Sequence, residues 1–257
     1  MRWSLKWLQY PSPELKSTIG GHRYVYMPST AALKVMMQSA TSDQPKITRK
    51  ADHSGYMTPL GVMPPVTTIL SETSPPESKA ALEAWKRRTP VEYQKTGAKR
   101  GTWVHSACEH YHNTGEWQDH LAHGGYLRSM IPWIEANVVE SVLMECPIYH
   151  PKGFSGTFDN LCFCAEWPEL TLLDYKTSKR SKVANPTYLE NYWDQLGAYS
   201  LGLQHTYDIK PKKGVLCIGR PTGSAEVVSI DETELERREQ KFLRRLDLFY
   251  EQLNQAA

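Results

Sequence analysis

Gly156-Thr157-Phe158-Asp159-Asn160-Leu161-Cys162-Phe163-Cys164 and, a short step later, Leu170-Thr171-Leu172-Leu173-Asp174-Tyr175-Lys176-Thr177 are the two segments on which the fold turns. Both are rich in β-branched, aromatic and aliphatic residues. With residues 138–149 they predict three strands (138–149, 156–166 and 170–176), an antiparallel meander joined by turns at Pro151-Lys152-Gly153 and at Trp167-Pro168. Asp174 and Lys176 are two apart on a strand and so share a face. On a surface strand such a pair would contribute only a few tenths of a kcal/mol. The run from Leu170 to Leu173 is apolar enough to be internal, however, and carboxylates and an ammonium at the ends of internal strands are costly to bury unless a metal ion neutralises them.

Working outward, residues 188–204 predict a helix, 214–219 and 225–230 two more strands, and 233–254 a long amphipathic helix with Leu235, Phe242, Leu246, Phe249 and Leu253 turned inward. Upstream, residues 79–88 and 102–112 have helical spacing, Gly115 is placed to end the second of these, and a further helix is expected over 125–137. Residues 1–60 are broken by Pro11, Pro13, Gly20-Gly21, Pro28 and the polar run Thr41-Ser42-Asp43-Gln44-Pro45, which predicts short strands and loops. A hairpin is expected within 47–66, punctuated by Ser54-Gly55 and Gly61. The pattern is that of an α/β protein: a central mixed β-sheet flanked by helices, with an N-terminal helical elaboration. The expected division is an N-terminal extension over 1–60 and a catalytic domain over 61–257, itself a helical segment (75–137) followed by a core (138–257).

The 257 residues carry a net charge of +2, with 40% hydrophobic and 23% charged residues, which is ordinary for a globular protein. That charge is too small to announce a nucleic-acid partner, although Lys176, Lys179, Arg180 and Lys182 cluster, as do Lys86-Arg87-Arg88 and Lys99-Arg100. No apolar run is long enough for a membrane span. The opening Met1-Arg2-Trp3-Ser4-Leu5-Lys6-Trp7 lacks the pattern of a secretory signal, while Arg2, Lys6 and Lys16 leave a mitochondrial transit segment open. Five cysteines, Cys108, Cys146, Cys162, Cys164 and Cys217, predict neither a disulfide framework nor an iron–sulfur cluster. There is no phosphate-cradling Gly-x-x-x-x-Gly-Lys-[Ser/Thr] loop, so nothing supports an ATP-driven motor.

Two carboxylates and a lysine at neighbouring strand ends suit phosphodiester hydrolysis. The carboxylates would hold a hard divalent ion against the phosphate, and the ammonium would steady the attacking water and the growing charge. Asp159 and Asp174 are the expected ligands, with the Tyr175 carbonyl completing the shell, and Lys176 is the expected contact to water and phosphate.

In sequence order the chain has Gly156-x-x-Asp159, then Asp174-Tyr175-Lys176, then Gln195-Leu196-Gly197-Ala198-Tyr199, whose i,i+4 spacing puts Gln195 and Tyr199 on one helix face. Upstream stands Arg100-Gly101-Thr102-Trp103-Val104-His105. This series resembles the RecB-type nucleases of the PD-(D/E)XK, or restriction-endonuclease-like, superfamily. The stretches Pro65-Val66-Thr67-Thr68-Ile69-Leu70, Ala84-Trp85-Lys86-Arg87-Arg88 and Asp174-Tyr175-Lys176-Thr177-Ser178 look most like its mitochondrial genome maintenance and phage exonuclease group. The resemblance covers roughly residues 47–202. It implies a restriction-endonuclease-like core, catalytic Asp159, Asp174, Lys176, Gln195 and Tyr199, and a Mg²⁺ or Mn²⁺ site formed by His105, Asp159, Asp174 and Tyr175. Glu145 and Glu109 are weaker ligand candidates. Phe158 stands where many restriction enzymes have proline, and the cysteines of the family's iron–sulfur subgroup are missing.

The resemblance further implies an exonuclease acting on single-stranded DNA ends in replication, repair or recombination, with proteins of those processes as further partners. The alternatives are a structure-specific or restriction-type endonuclease and a catalytically silent DNA-binding module. Phosphate and base contacts are expected from Trp85, Arg88, Lys99, Arg100, Thr177, Lys179 and Arg180. Trp103, Tyr111 and Trp117 are further stacking candidates, with about half of the aromatic set expected in the core. The expected compartment is the cytoplasm, of a host cell if the gene is a phage's, or alternatively the mitochondrion.

Overall fold

Strands β6 (Val138–His150), β7 (Phe154–Cys164) and β8 (Trp167–Thr177) form the expected antiparallel meander, and β9 (Lys213–Gly219) and β10 (Glu226–Ile230) extend it in the order β10-β9-β8-β7-β6. In this computed structural model the described residues are 18–19, 22–23, 46–52, 54–119 and 121–256. The chain divides into 1–44 and 45–257. Of the first unit the described part is one short antiparallel pair, β1 (Thr18–Ile19) with β2 (His22–Arg23); the proline and glycine breaks and the leader reading fall outside the described residues.

Residues 48–63 form a three-stranded antiparallel ribbon of β3 (Thr48–Arg49), β4 (Tyr56–Thr58) and β5 (Gly61–Met63), which contains the expected hairpin. Helices α1 (Val66–Glu72), α2 (Pro76–Arg88), α3 (Val91–Thr114) and α4 (Gly124–Asn137) follow. Helix α3 starts eleven residues before the expected 102, because Pro90 opens it and only Gly97 and Gly101 dilute its helical pattern. Gly115 closes it in the left-handed conformation, φ 79°.

Between β8 and β9 runs helix α5 (Glu190–Tyr207), preceded by a 3₁₀ turn (Pro186–Leu189), so β8 and β9 are parallel, as a helical crossover requires. Helix α6 (Glu232–Ala256) ends the chain. The sheet is covered on both faces. Tyr126, Leu127, Met130 and Ile134 of α4 and Val104, Ala107 and Cys108 of α3 pack with Cys162, Leu173, Tyr175, Val215 and Cys217 on one side. On the other side Phe242 of α6 meets Phe154 edge-on at 4.9 Å. The expected α/β architecture with a central mixed sheet, flanking helices and an N-terminal helical segment is the one found.

Two details differ from expectation. The β7–β8 turn is Ala165-Glu166, and Trp167-Pro168 opens β8 instead. The Trp167 indole donates to Thr171 and lies under Lys213, 4.5 Å from its ammonium. Pairing of β8 with β9 begins only at Thr171, so the missing Pro168 donor costs no ladder bond. Leu253 is not inward but 49% exposed, since residues 251–255 extend past the body that buries Leu235, Phe242, Leu246 and Phe249.

Helices α5 and α6 are locked by charge. Asp194 is fully buried, yet it receives Arg238 at 3.2 Å and Arg245 at 2.8 Å, which compensates a carboxylate that would otherwise be prohibitive there. Arg245 also donates to Asn191 and Thr73, tying α1 to the pair. A Cβ at Gly197 would stand 2.5 Å from the Arg238 backbone, so glycine is what lets the helices approach this closely. This lock fixes the rotation of α5, and with it the direction of the next residue, Gln195.

Candidate active site

The sheet forks between β7 and β8. Their pairing runs from Cys164↔Trp167 to Asn160↔Leu173 and stops; beyond it β7 stays on β6 while β8 stays on β9. Asp159 and Asp174 are the first residues past the fork. Splaying would orphan the Tyr175 amide, and the Asp159 carboxylate takes its place, accepting that N–H at 2.7 Å. The strand-end acid is thereby fixed by the geometry that opens the cleft.

Helix α3 brings in His105, whose Nδ1 lies 3.3 Å from Asp159 and 3.7 Å from Glu145. Glu145 sits on β6 between the pairs Met144↔Asn160 and Cys146↔Phe158, which places it across from Asp159. Its φ of 45° is left-handed, a conformation that costs a residue with a side chain about 1 kcal/mol or more. His105, Glu145 and Asp159 each offer one ligand atom, and the three atoms lie within 4.8 Å of one another. One imidazole and two carboxylates suit Mg²⁺ or Mn²⁺, with the nitrogen favouring the softer ion.

Asp174 is one strand over, 1% exposed, with Lys176 Nζ 2.5 Å from its Oδ2. That approach lacks hydrogen-bond direction, and both Asp174 oxygens are buried without a hydrogen-bond partner. The Asp174 carboxylate has Lys176 as an ion-pair partner but no directed hydrogen bond, which leaves its other oxygen, Oδ1, free to accept a cation beside His105, Glu145 and Asp159. The structure thus groups Glu145, rather than Asp174, with His105 and Asp159.

The charges follow from this packing. Burial pushes the Asp174 carboxyl up to about 6, with the Asp159 charge adding to the rise and Lys176 opposing it. Burial works against the charged Lys176, but Asp174 and Asp159 outweigh it and hold its pKa above the usual lysine value. Burial likewise opposes the charged forms of His105 and Asp159; their mutual attraction prevails, lowering Asp159 and raising His105 to about 10. Glu145 is raised by burial despite its bond to His105. The metal-free cluster is a proton-sharing set that a divalent cation would displace.

A cleft of about 390 Å³ opens over these groups, bounded by His105, Glu145, Asp159 and Lys176 below and by Tyr192, Gln195 and Tyr199 of α5. Gln195 donates to the Tyr199 hydroxyl at 2.7 Å. Gly156 is required by this wall, since a Cβ there would stand 2.8 Å from the Tyr199 ring. The ribbon adds Arg49 and Tyr56 to the rim, with the Tyr56 hydroxyl 3.0 Å from Thr157.

The sequence-predicted core residues Asp159, Lys176, Gln195, Tyr199 and His105 therefore meet at one cleft, with Asp174 directly behind Lys176. Tyr175 turns its ring to the opposite face, where its hydroxyl lies 2.9 Å from His112 and accepts from Asn160 at 3.1 Å. Of the residues expected to touch DNA, Trp85, Arg88, Lys99, Lys179 and Arg180 are exposed. Arg100 is instead engaged internally, donating to Thr177 at 3.0 Å and covering Tyr126 at 4.4 Å. Trp103, Tyr111 and Trp117 pack on the core, the last two stacked at 3.8 Å, so three of the four aromatics proposed for stacking are structural. Glu109 lines a neighbouring recess with Glu145 and His105. Residues missed outright are Arg49, Tyr56 and Tyr192. Tyr192 had a signal in its place three residues before Gln195 on the same helix face; the strands that carry Arg49 and Tyr56 are only two and three residues long and left none.

No family model matches the chain. It is 24% identical over 192 residues to mitochondrial genome maintenance exonuclease 1 of Xenopus tropicalis, covering 68% of this chain and 53% of that protein. It is 27% identical over 210 residues to the Mus musculus protein of the same name, covering 74% and 59%. The chain thus spans somewhat over half the length of these curated relatives. The crystal structure of SSO0001 aligns over 85% of this chain and 87% of that one at 14% identity, with a TM-score of 0.33, too low to carry an argument. No described helix is long and apolar enough to cross a membrane. The sequence similarity to the two exonucleases supports a nuclease family for this chain.

Proposed function

We propose that the chain is a Mg²⁺- or Mn²⁺-dependent exonuclease that hydrolyses DNA from single-stranded ends, on a RecB-type, restriction-endonuclease-like core taken to span residues 61–257. The observation that carries this reading is the meeting of His105, Glu145 and Asp159 within ligand distance beside Lys176, at the fork between β7 and β8. The names of the distant relatives point the same way, and their mitochondrial designation fits the mitochondrial alternative for its compartment.

His105, Glu145 and Asp159 would hold the ion, with Asp174 and the Tyr175 carbonyl reachable as further ligands. When bound, the ion supplies Lewis-acid polarisation of the scissile phosphate and lowers the pKa of water. Lys176, kept protonated by Asp174 and Asp159, is placed to donate to the attacking water and to a non-bridging phosphate oxygen as charge builds. The Gln195–Tyr199 pair forms a hydrogen-bonding wall that orients the phosphate, and Arg49 at the rim offers a guanidinium to the flanking backbone. Exposed Trp85, Arg88, Lys99, Lys179 and Arg180 would carry the strand towards the cleft, where sequence-independent affinity comes mainly from phosphate contacts.

The test is end-labelled linear and circular single-stranded DNA incubated with Mg²⁺, Mn²⁺ or EDTA. The reading expects linear strands to shorten from an end in either metal, EDTA to abolish this, and circles to survive. Circles cut as fast as linear strands would replace the exonuclease with an endonuclease, and no cleavage in any metal would leave a DNA-binding module.

A further inference from the structure

Tyr188, Tyr192, Gln195 and Tyr199 are spaced i, i+4, i+7 and i+11 along α5 and the 3₁₀ turn before it, so they form one stripe. The stripe grades outward: Tyr199 is 4% exposed, Gln195 8%, Tyr192 half-buried and Tyr188 54%. It therefore leads from the catalytic wall to solvent over about 16 Å of helix.

Cations line this path. Lys176 Nζ lies 5.2 Å from the Tyr192 ring, and Lys182 Nζ lies 6.0 Å from Tyr192 and 5.0 Å from Tyr188. Among the described residues Lys176 has Asp174 as its counter-ion, whereas the Lys182 ammonium makes no ion pair. The acid nearest to it in charge, Glu226, is already committed: it accepts from the Lys182 and Val183 amides and from Arg220. Those bonds, with Ser178 donating to the Arg180 carbonyl and the Ser181 hydroxyl accepting from Ala184, hold the 178–185 loop in one shape. The loop thus presents a partly desolvated, unneutralised ammonium between two rings, at the end of the strand that carries Lys176.

We propose that Lys182, Tyr188 and Tyr192 form a nucleotide subsite at the cleft mouth, which binds the phosphate and base of single-stranded DNA adjoining the bond to be cut. The proposal rests on the nuclease reading and adds to it a place for the strand. A phosphate supplies the counter-charge for the Lys182 ammonium, and the exposed Tyr188 face offers stacking to a base. Stacking on a lone surface ring requires an unpaired base, so the subsite selects a single strand over a duplex.

The test is fluorescence anisotropy of the full chain with a fluorescein-labelled oligothymidylate of about a dozen nucleotides, in EDTA and over a range of salt concentrations. Tyr188→Ala is expected to weaken binding about fivefold or more with an unchanged salt slope, and Tyr188→Trp to keep it. Lys182→Ala is expected to reduce the slope of log affinity on log salt by about 0.7, and Lys182→Arg to restore it. Lys213→Ala, at the start of β9 and beside the Trp167 ring at the far end of β8, should leave both unchanged. Wild-type protein that binds and cuts DNA, with Tyr188→Ala and Lys182→Ala binding as tightly, overturns the subsite alone. Wild-type protein that neither binds nor cuts overturns the nuclease reading and the subsite with it.

Discussion

Asp174→Asn separates a catalytic carboxylate from a structural one, because the two roles predict opposite signs for stability. In the metal-free protein burial raises the Asp174 carboxyl from its ordinary value of 3.8 to about 6. A raised carboxyl means that the unfolded chain loses its proton first. Stability therefore falls as pH rises from about 4 to about 6 and stays reduced above that. At about 1.4 kcal/mol per unit this amounts to about 3 kcal/mol at pH 7, with the attraction of Lys176 already included. Asparagine keeps the shape and removes the charge, while Asp159 remains to balance Lys176. In EDTA at pH 7 the variant should melt no lower than wild type, and by as much as several degrees higher. At pH 4 the two should converge. Nuclease rate in Mg²⁺ should move the other way, by roughly a thousandfold or more, as several kcal/mol of transition-state stabilisation is lost. Calorimetry in EDTA and a cleavage assay in Mg²⁺ on the same preparation read both signs. A variant that melts several degrees lower and still digests DNA would refute the reasoning and make the Asp174–Lys176 contact a structural salt bridge.

His105→Ala should raise the Mg²⁺ concentration for half-maximal activity, and an unchanged metal titration would return His105 to a packing role. Glu145→Gly should also weaken metal affinity, raising the Mg²⁺ concentration for half-maximal activity, while raising stability in EDTA by about 1 kcal/mol, since glycine accepts the 45° φ without strain; equal or lower stability would contradict the strain argument. Gly156→Ala should cost about 1–3 kcal/mol in a melting measurement and depress activity, because its Cβ would stand 2.8 Å from the Tyr199 ring. Burial, together with the nearby His205 and Lys152, pulls His150 down to about 4. The stability it contributes is therefore fully present above pH 6.5 and is lost as pH falls through 4; after discounting for solvent screening this is about 1–2 kcal/mol. His150→Phe should flatten the acid limb of the stability profile by that amount, and an identical profile would rule the histidine out.

The sheet and its helices were legible because their signals are local. Short β-prone apolar runs around Asp159 and Asp174, and a period of 3.6 in the segments holding His105, Gln195 and Phe242, disclosed the layers and the order of elements. What escaped depended on pairing across long separations. Glu145 is one of two acids in its segment, with Glu140, and stayed a weaker ligand candidate until the β6–β7 register set it opposite Asp159. Asp174 was rightly placed on an internal strand, but spacing along β8 could not show that its oxygens lie behind Lys176 while Glu145 joins His105 and Asp159. Trp103, Tyr111 and Trp117 could not be sorted between stacking and packing, beyond an expectation that half of the aromatic set is core, because an aromatic beside basic residues reads the same whether its ring faces solvent or core. Arg49 and Tyr56 come from strands of two and three residues, too short for any period to show.

The central claim, that His105, Glu145 and Asp159 hold a divalent ion used to cut DNA, is tested most directly by the cleavage rate of linear single-stranded DNA as a function of free Mn²⁺, for wild type and for Asp159→Asn. The account predicts no cleavage in EDTA, saturable recovery as Mn²⁺ is added to wild type, and a loss of roughly a thousandfold or more in the variant even at saturating metal. Cleavage that persists in EDTA, or an Asp159→Asn protein with the wild-type Mn²⁺ curve, would contradict it.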